Sequence, residues 1–212
     1  MIDLDEPGRP SDWTGGAYRL VVHCAWDESR LATALRVLAA RDELSGWWRG
    51  RGLDAATRAQ EALDVALLRG AGEAIGLLRV EGDRDAPLAV EANWSDATRV
   101  VALVLALPLG GLDRAVPGGL GAYPLGETLR FPSPDQGTPA EAESLRWRRP
   151  LDRRLAALAG AIHAAVPLIA ARIGYEIEAT DPVPEGHDDD AIRDVTIAVP
   201  GESGLVIRFA DS

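Results

Sequence analysis

Three apolar segments decide the fold of this chain: IGLLRVE at residues 75–81, LAVEANW at 88–94 and RVVALVLAL at 99–107. Each has the length of a β-strand, and the short polar segments between them resemble hairpin loops. The third segment is apolar on both faces, which is typical of a strand buried from both sides. The sequence therefore predicts an antiparallel meander with residues 99–107 at its centre.

A β-α unit is predicted on the N-terminal side of this meander. Residues 18–26 are rich in β-branched and aromatic side chains, and Asp27 then offers the N-cap of a helix that extends to about residue 41. A second helix is expected to begin at Asp54 and to end at Gly70. Residues 1–16 contain Pro and Gly without periodicity, so we expect a flexible N-terminal arm.

The C-terminal half is predicted to add one helix and a hairpin. Residues 108–149 are rich in Pro and Gly and are expected to form a long loop, either functional or disordered. A long apolar stripe predicts a helix over 151–173, with a kink near Pro167. A short strand at 175–178 and a hairpin over 195–209 follow.

These elements predict a single α+β domain over residues 17–212. Three consecutive strands argue against a doubly wound parallel sheet, which needs regular β-α alternation. The expected architecture is a mainly antiparallel sheet with helices packed on one face.

The composition excludes several classes of function. All 22 basic residues are Arg, so chemistry that needs a lysine amine, including Schiff-base catalysis and a P-loop nucleotide site, is absent. A net charge of −11 repels nucleic acids and anionic membranes and attracts basic partners. We therefore expect a basic protein partner, and neither nucleic acid nor membrane binding.

The same composition bears on origin and compartment. Heavy use of Arg, Ala, Gly and Pro is typical of a GC-rich bacterial genome. The single cysteine, Cys24, excludes an intrachain disulfide, and residues 1–7 are acidic where a secretory signal would be basic. Residues 155–171 are apolar but contain His163 and Pro167, so they indicate a core helix and no membrane span. These features predict a cytoplasmic protein.

Two adjacent tryptophans, Trp47 and Trp48, are candidates for a partner-binding surface. They occupy a stretch with Gly46 and Gly50 that we interpret as a loop, and two large rings side by side do not easily enter one core. The alternative is that both cover the sheet edge. Residues 50–55 also match G-x-G-x-x-A, but residues 44–48 do not resemble the buried strand that a dinucleotide fingerprint requires.

A cluster of arginines lies at the start of the long helix and is a candidate anion site. It comprises Arg146, Arg148, Arg149, Arg153 and Arg154. Bidentate guanidinium groups suit a phosphate or carboxylate ligand. The alternative is pairing with the acidic segment 181–194, in which Asp188, Asp189 and Asp190 are candidate partner-binding residues. Adjacent aspartates point in different directions and lack calcium-loop spacing, so we expect no metal there.

No catalytic motif is present in the sequence. His23 and Cys24 are neighbours on one strand, so their side chains face opposite sides and cannot form a dyad. We predict neither catalytic residues nor a cofactor.

Two hypotheses remain, and both leave homo-oligomerisation open. The first is a non-enzymatic binding module for a basic protein, for example an immunity-type inhibitor that neutralises a basic toxin. The second is a small-molecule enzyme or sensor that binds an anion through the arginines at 146–154.

Overall fold

A computed structural model describes residues 10–25, 27–51, 59–95, 99–120, 139–180 and 195–210. In the helix that begins at residue 139, side chains are described from residue 147 onward. After a 3-10 helix at Pro10–Asp12, the elements are β1 (Ala17–Ala25), α1 (Glu28–Ala39), β2 (Leu44–Trp48), α2 (Val65–Ala71), β3 (Glu73–Glu81), β4 (Arg84–Ser95), β5 (Val100–Pro108), α3 (Leu109–Ala115), α4 (Pro139–Ala165), β6 (Leu168–Tyr175), β7 (Thr196–Gly201) and β8 (Gly204–Arg208).

The eight strands form one sheet in the order β2-β3-β4-β5-β1-β6-β7-β8. Every pairing in it is antiparallel. The first strand lies between β5 and β6 and joins the predicted meander to the C-terminal strands. The predicted α+β class and the antiparallel sheet are confirmed.

The helices pack on one face of this sheet, which we call the helix face. Alternate residues of β1, such as Leu20 and Val22, enter one large apolar core with Leu35 of α1 and Leu158 of α4. The opposite face, which we call the second face, has a smaller core. Val21, Val104 and Ala106 contribute to it together with Ile177 and Trp13, which lie outside the strands.

The predicted meander and the first helix are confirmed. The strands β3, β4 and β5 follow one another through hairpins, and Glu91 of β4 lies opposite Val104 of the central strand β5. Asp27 caps α1, because its side chain accepts a hydrogen bond of 2.8 Å from the backbone N–H of Ser29. The C-terminal hairpin is also present, as β7 and β8.

The predicted helix over 151–173 is wrong at both ends. The helix α4 ends at Ala165, and Leu168–Tyr175 forms the strand β6, so 175–178 is no separate strand. Pro167 lacks an N–H and disfavours helical geometry in the residue before it, which ends the helix instead of kinking it. In the predicted loop over 108–149, α3 and the first part of α4 are helical, and residues 121–138 lie outside the described part of the chain.

Two N-terminal predictions also need correction. The predicted helix from Asp54 to Gly70 is wrong in its first part, because residues 59–64 are not helical and α2 begins at Val65 after its N-cap Asp64. Its C-cap is Gly72, and Asp54 itself lies outside the described residues. Residues 10–16 are fixed to the domain and are no flexible arm. The buried carboxylate of Asp12 accepts a 2.5 Å hydrogen bond from Arg114, and the N–H of Gly110 donates to the carbonyl of Thr14.

Candidate functional site

The second face carries polar side chains near the middle of the sheet. Because side chains alternate along a strand, Arg19, Val21 and His23 of β1 all point to this face, and Arg172 of β6 lies beside Val21. His23 and Arg172 are each only 5 % exposed. A buried polar side chain needs a hydrogen-bond partner. The partners of Arg19, His23 and Arg172 lie in the segment that covers this face.

These three residues hold the segment 176–180, which we call the strap. Arg19 donates to the carbonyl of Ile177 at 3.0 Å, and the Nε2 of His23 donates to the carbonyl of Ala179 at 3.0 Å. Arg172 donates to the carbonyl of Glu178 at 2.7 Å. The side chain of Ile177 is buried in the small core beneath. Hydrogen bonds from three polar residues of the sheet therefore fix the backbone of the strap on the second face.

The strap leaves β6 through an unusual backbone conformation. Glu176 has a φ of 51°, a left-handed geometry that costs a non-glycine residue free energy. Its side chain accepts a 2.6 Å hydrogen bond from the N–H of Ala17, while its own N–H donates to the carbonyl of the same residue. Gly16 makes room for this, since a Cβ there would lie 2.4 Å from the Glu176 carboxylate. The sequence contains no pattern that predicts this turn.

A cleft of about 340 Å³ opens between the strap, the segment around Trp13 and the strands β1, β4 and β5. Val104 and Ala106 form part of its floor, and Asn93 lies on the same face of β4. On the other side the guanidinium carbon of Arg51 lies 4.8 Å from the centre of the Trp13 ring. This distance allows a cation-π contact.

Four carboxylates share two guanidinium groups around this cleft. Arg51 pairs with Glu73 at 2.6 Å and with Glu91 at 3.2 Å. Arg19 pairs with Glu178 at 2.7 Å and with Glu176 at 3.5 Å. These six side chains carry four formal negative charges and two formal positive charges. All of them except Glu73 line the cleft, and we call the six side chains together with the cleft the acidic cleft.

Electrostatics keep Arg51 charged within this group. The hydrogen bond to Glu73 raises the pKa of Arg51, and the charges of Glu73 and Glu91 add to this, whereas desolvation acts in the opposite direction. The Arg51 guanidinium is therefore a fixed positive charge beside Glu73 and Glu91.

The structure places the predicted tryptophan pair inside the protein. Trp47 and Trp48 are 8 % and 3 % exposed, and they belong to β2, which contradicts the predicted loop. Trp47 enters the core on the helix face, where its ring lies 2.5 Å from the position a Cβ would take at Gly76. Trp48 enters the core on the second face. Alternation along a strand thus sends the two rings to opposite faces, and neither is an exposed anchor.

The predicted arginine cluster does not converge on one open site. Arg148 is 1 % exposed and donates a 3.0 Å hydrogen bond to the hydroxyl of Tyr18, whereas Arg149 and Arg153 are exposed. Arg154 donates to the backbone carbonyls of Arg79 and Val80. The side chain of Arg146 lies outside the described part of the structure.

Arg148 belongs instead to a buried polar network that the sequence does not predict. The hydroxyl of Tyr18 donates to one carboxylate oxygen of Asp152 at 2.5 Å, and the hydroxyl of Thr196 donates to the other at 2.6 Å. The spacing of four residues places Arg148 and Asp152 on the same side of α4. This spacing is a signal in the sequence, but it is meaningful only once α4 is known to begin before residue 148.

The other candidate residues occupy ordinary structural positions or lie outside the description. Asp188, Asp189 and Asp190 fall within 181–194, which the structure does not describe. Burial raises the pKa of the Cys24 thiol, and the Nδ1 of His163 accepts a hydrogen bond from the N–H of Leu168. Within the described ranges, no group of three or more His, Cys, Asp or Glu side chains is arranged to hold a metal ion.

Comparisons with known proteins add no assignment: no protein-family model, curated protein or solved structure matches this chain. Among the described helices, none is both long enough and apolar enough to cross a membrane.

Proposed function

We propose that this protein is a binding module for a basic protein and that the acidic cleft receives a cationic side chain of that partner. The observation that carries the proposal is the sharing of two guanidinium groups by four carboxylates around a preformed cleft. An arginine or lysine of the partner would compensate the excess charge. An inhibitor that neutralises a basic toxin is one protein of this kind.

The net charge of the whole chain supports the same class of partner. A charge of −11 attracts basic proteins over the Debye length of about 8 Å at physiological salt. Such a field raises the association rate more than the affinity, and contacts at the cleft would then supply the specificity.

The positions of the arginines favour this proposal over anion binding at residues 146–154. Arg148 is buried against Tyr18, and Arg154 is hydrogen-bonded to backbone carbonyls. An anion held by Arg148 or Arg154 would compete with these contacts. A cation at the acidic cleft would add to the existing ion pairs without breaking any of them.

The test measures binding of a fluorescent peptide in which Arg and Gly alternate, by anisotropy at low salt. The double variant Glu91→Gln/Glu178→Gln removes the two excess charges and leaves each guanidinium with one carboxylate, Glu73 or Glu176. We expect it to bind the peptide about 5- to 30-fold more weakly than the wild type, as loss of two partly exposed charge pairs implies.

The matched control is Asp42→Asn/Asp83→Asn, which changes the net charge equally at exposed turns away from the acidic cleft. The proposal requires this control to bind nearly as tightly as the wild type. Equal weakening in both double variants would show a general charge effect and would refute the cleft. Free arginine that binds as tightly as the peptide would instead indicate a small-molecule ligand.

A further inference from the structure

The floor of the acidic cleft is apolar and lies between carboxylates on two sides. Glu91 of β4 lies opposite Val104 of β5, and Val104 in turn lies opposite Val21 of β1, in the small core beneath the strap. Two strand spacings, about 10 Å, therefore separate the backbone of Glu91 from β1. Glu178 of the strap lines the cleft on the β1 side, where Arg19 holds it. A cation in the cleft thus meets carboxylates on two sides and apolar side chains below.

Asn93 adds a neutral polar group to the β4 side of the cleft. It lies two residues after Glu91, so both side chains are on the second face, and both line the cleft. The side chain of Asn93 is exposed and makes no hydrogen bond with any residue that the structure describes. Its amide oxygen can therefore accept a hydrogen bond from a ligand in the cleft.

A guanidinium fits this arrangement better than an ammonium does. Its planar fork carries N–H donors at both ends, so it can bond to carboxylates on two sides and to an amide oxygen at the same time. It is also more weakly hydrated, so its contact with an apolar floor costs less desolvation free energy. The donors of a lysine ammonium all lie on a single, strongly hydrated nitrogen.

One wall of the cleft already holds a guanidinium by contacts of this kind. Arg51 lies over the ring of Trp13 and pairs with Glu73 and Glu91. A flat apolar surface and carboxylates on neighbouring strands therefore suffice to orient a guanidinium here. The floor around Val104, between the β4 side and the strap, offers the same kinds of contact to a ligand.

We propose, as an inference that rests on the proposed function, that the acidic cleft selects an arginine of the basic partner over a lysine and that Asn93 determines this specificity. The guanidinium lies over Val104 and Ala106, with one edge towards Glu91 and Asn93 and the other towards Glu178. Charge attracts either cation to the cleft, whereas hydrogen bonding on both sides is available only to arginine.

The first test compares three peptides of equal charge in the anisotropy assay described above. One alternates Arg and Gly, one has Lys in place of Arg, and one has arginine with a methyl group on each terminal nitrogen. This methylation keeps the charge but blocks bidentate hydrogen bonding. We expect the wild type to bind the arginine peptide about 10-fold more tightly than either of the other two. Equal affinity for the arginine and lysine peptides would overturn the inference.

The second test replaces the amide of Asn93. Asn93→Leu keeps a similar volume and every charge of the cleft but removes the amide oxygen. We expect the arginine peptide to bind about 5-fold more weakly and the lysine peptide to change by less than about 2-fold. The matched control is Gln60→Leu, which removes an exposed amide away from the cleft and should change neither affinity.

The outcomes separate this inference from the proposed function. Arginine and lysine peptides that bind equally, and that both weaken in Glu91→Gln/Glu178→Gln, would leave the proposed function standing and overturn the selection of arginine. Equal effects of Asn93→Leu and Gln60→Leu, or an equal loss for both peptides in Asn93→Leu, would overturn the role of Asn93. Binding of the arginine peptide that does not depend on Glu91 and Glu178 would overturn both proposals.

Discussion

At the scale of single residues, the buried carboxylate of Asp152 is the polar group on which the helix face depends most. It accepts hydrogen bonds from Tyr18 of β1 and Thr196 of β7, and so it joins α4 to two strands. Arg148 donates to the same tyrosine. In a buried network of this kind, removal of one acceptor leaves a buried donor unsatisfied.

Asp152→Asn should therefore lower the free energy of unfolding by about 3 kcal/mol. The amide nitrogen cannot accept a hydrogen bond from a hydroxyl, so one of the two hydroxyl donors, Tyr18 or Thr196, loses its acceptor. Urea denaturation measures the change. Asp83→Asn, at an exposed turn, serves as the control and should change stability by less than about 0.5 kcal/mol. A loss at Asp152 as small as that of the control would contradict this account of the network.

The positions of several single residues could not be predicted from the sequence. Trp47 and Trp48 are prominent in the sequence, yet their burial depends on β2 pairing with β3, and this pairing joins segments that lie about 30 residues apart. Arg19, Arg51 and Glu91 come together from three distant segments. No local spacing in the sequence relates these three residues, so the acidic cleft could not be predicted from the sequence.

At the scale of elements, local patterns predict most of the strands and the first helix. Strand-length apolar segments separated by short polar loops mark β3, β4 and β5, and the acidic N-cap marks α1. The pattern failed at 168–175, because an apolar segment of eight residues fits a buried strand as well as a helix, and Pro167 decides between them. The sequence of the strap has no periodicity that would predict its structure. Its backbone is held by side chains of other elements, which the local sequence does not show.

The N-cap of α1 makes stability depend on pH. The hydrogen bond from Ser29 holds the pKa of Asp27 below its usual range. A carboxyl group whose pKa is lowered in the folded state contributes stability above its unfolded pKa, and this contribution is lost as the pH falls through the folded pKa. Asp27→Ala should therefore reduce stability at neutral pH and have a smaller effect in acid, as measured by urea midpoints over that range. A difference that stays constant with pH would contradict the cap.

The strap should loosen when one of its anchors is removed. Arg172→Met keeps much of the side-chain volume but loses the hydrogen bond to the carbonyl of Glu178. We expect amide hydrogen exchange of residues 177–180 to rise about tenfold, with little change elsewhere. Arg36→Met, on the exposed side of α1, is the control. Uniform acceleration across the sheet would show global destabilisation and would contradict a local role.

At the scale of the whole molecule, charge and topology act together. One face of the sheet is covered by four helices, and the described cover of the other consists of the segment around Trp13, Arg51 and the strap. The thinner cover leaves a cleft, and the excess of carboxylates there has the same sign as the net charge. Composition alone predicts a basic partner, whereas the proposed place of contact rests on the fold.

The measurement that tests this account most directly is a titration of ¹⁵N-labelled protein with the Arg-Gly peptide, followed by NMR. The account predicts saturable shifts at the indole N–H of Trp13 and at the backbone amides of Arg19, Glu91 and Ile177, which weaken as salt is added. Shifts that are absent from these groups, or spread evenly over the acidic surface, would contradict the claim that the acidic cleft is the binding site.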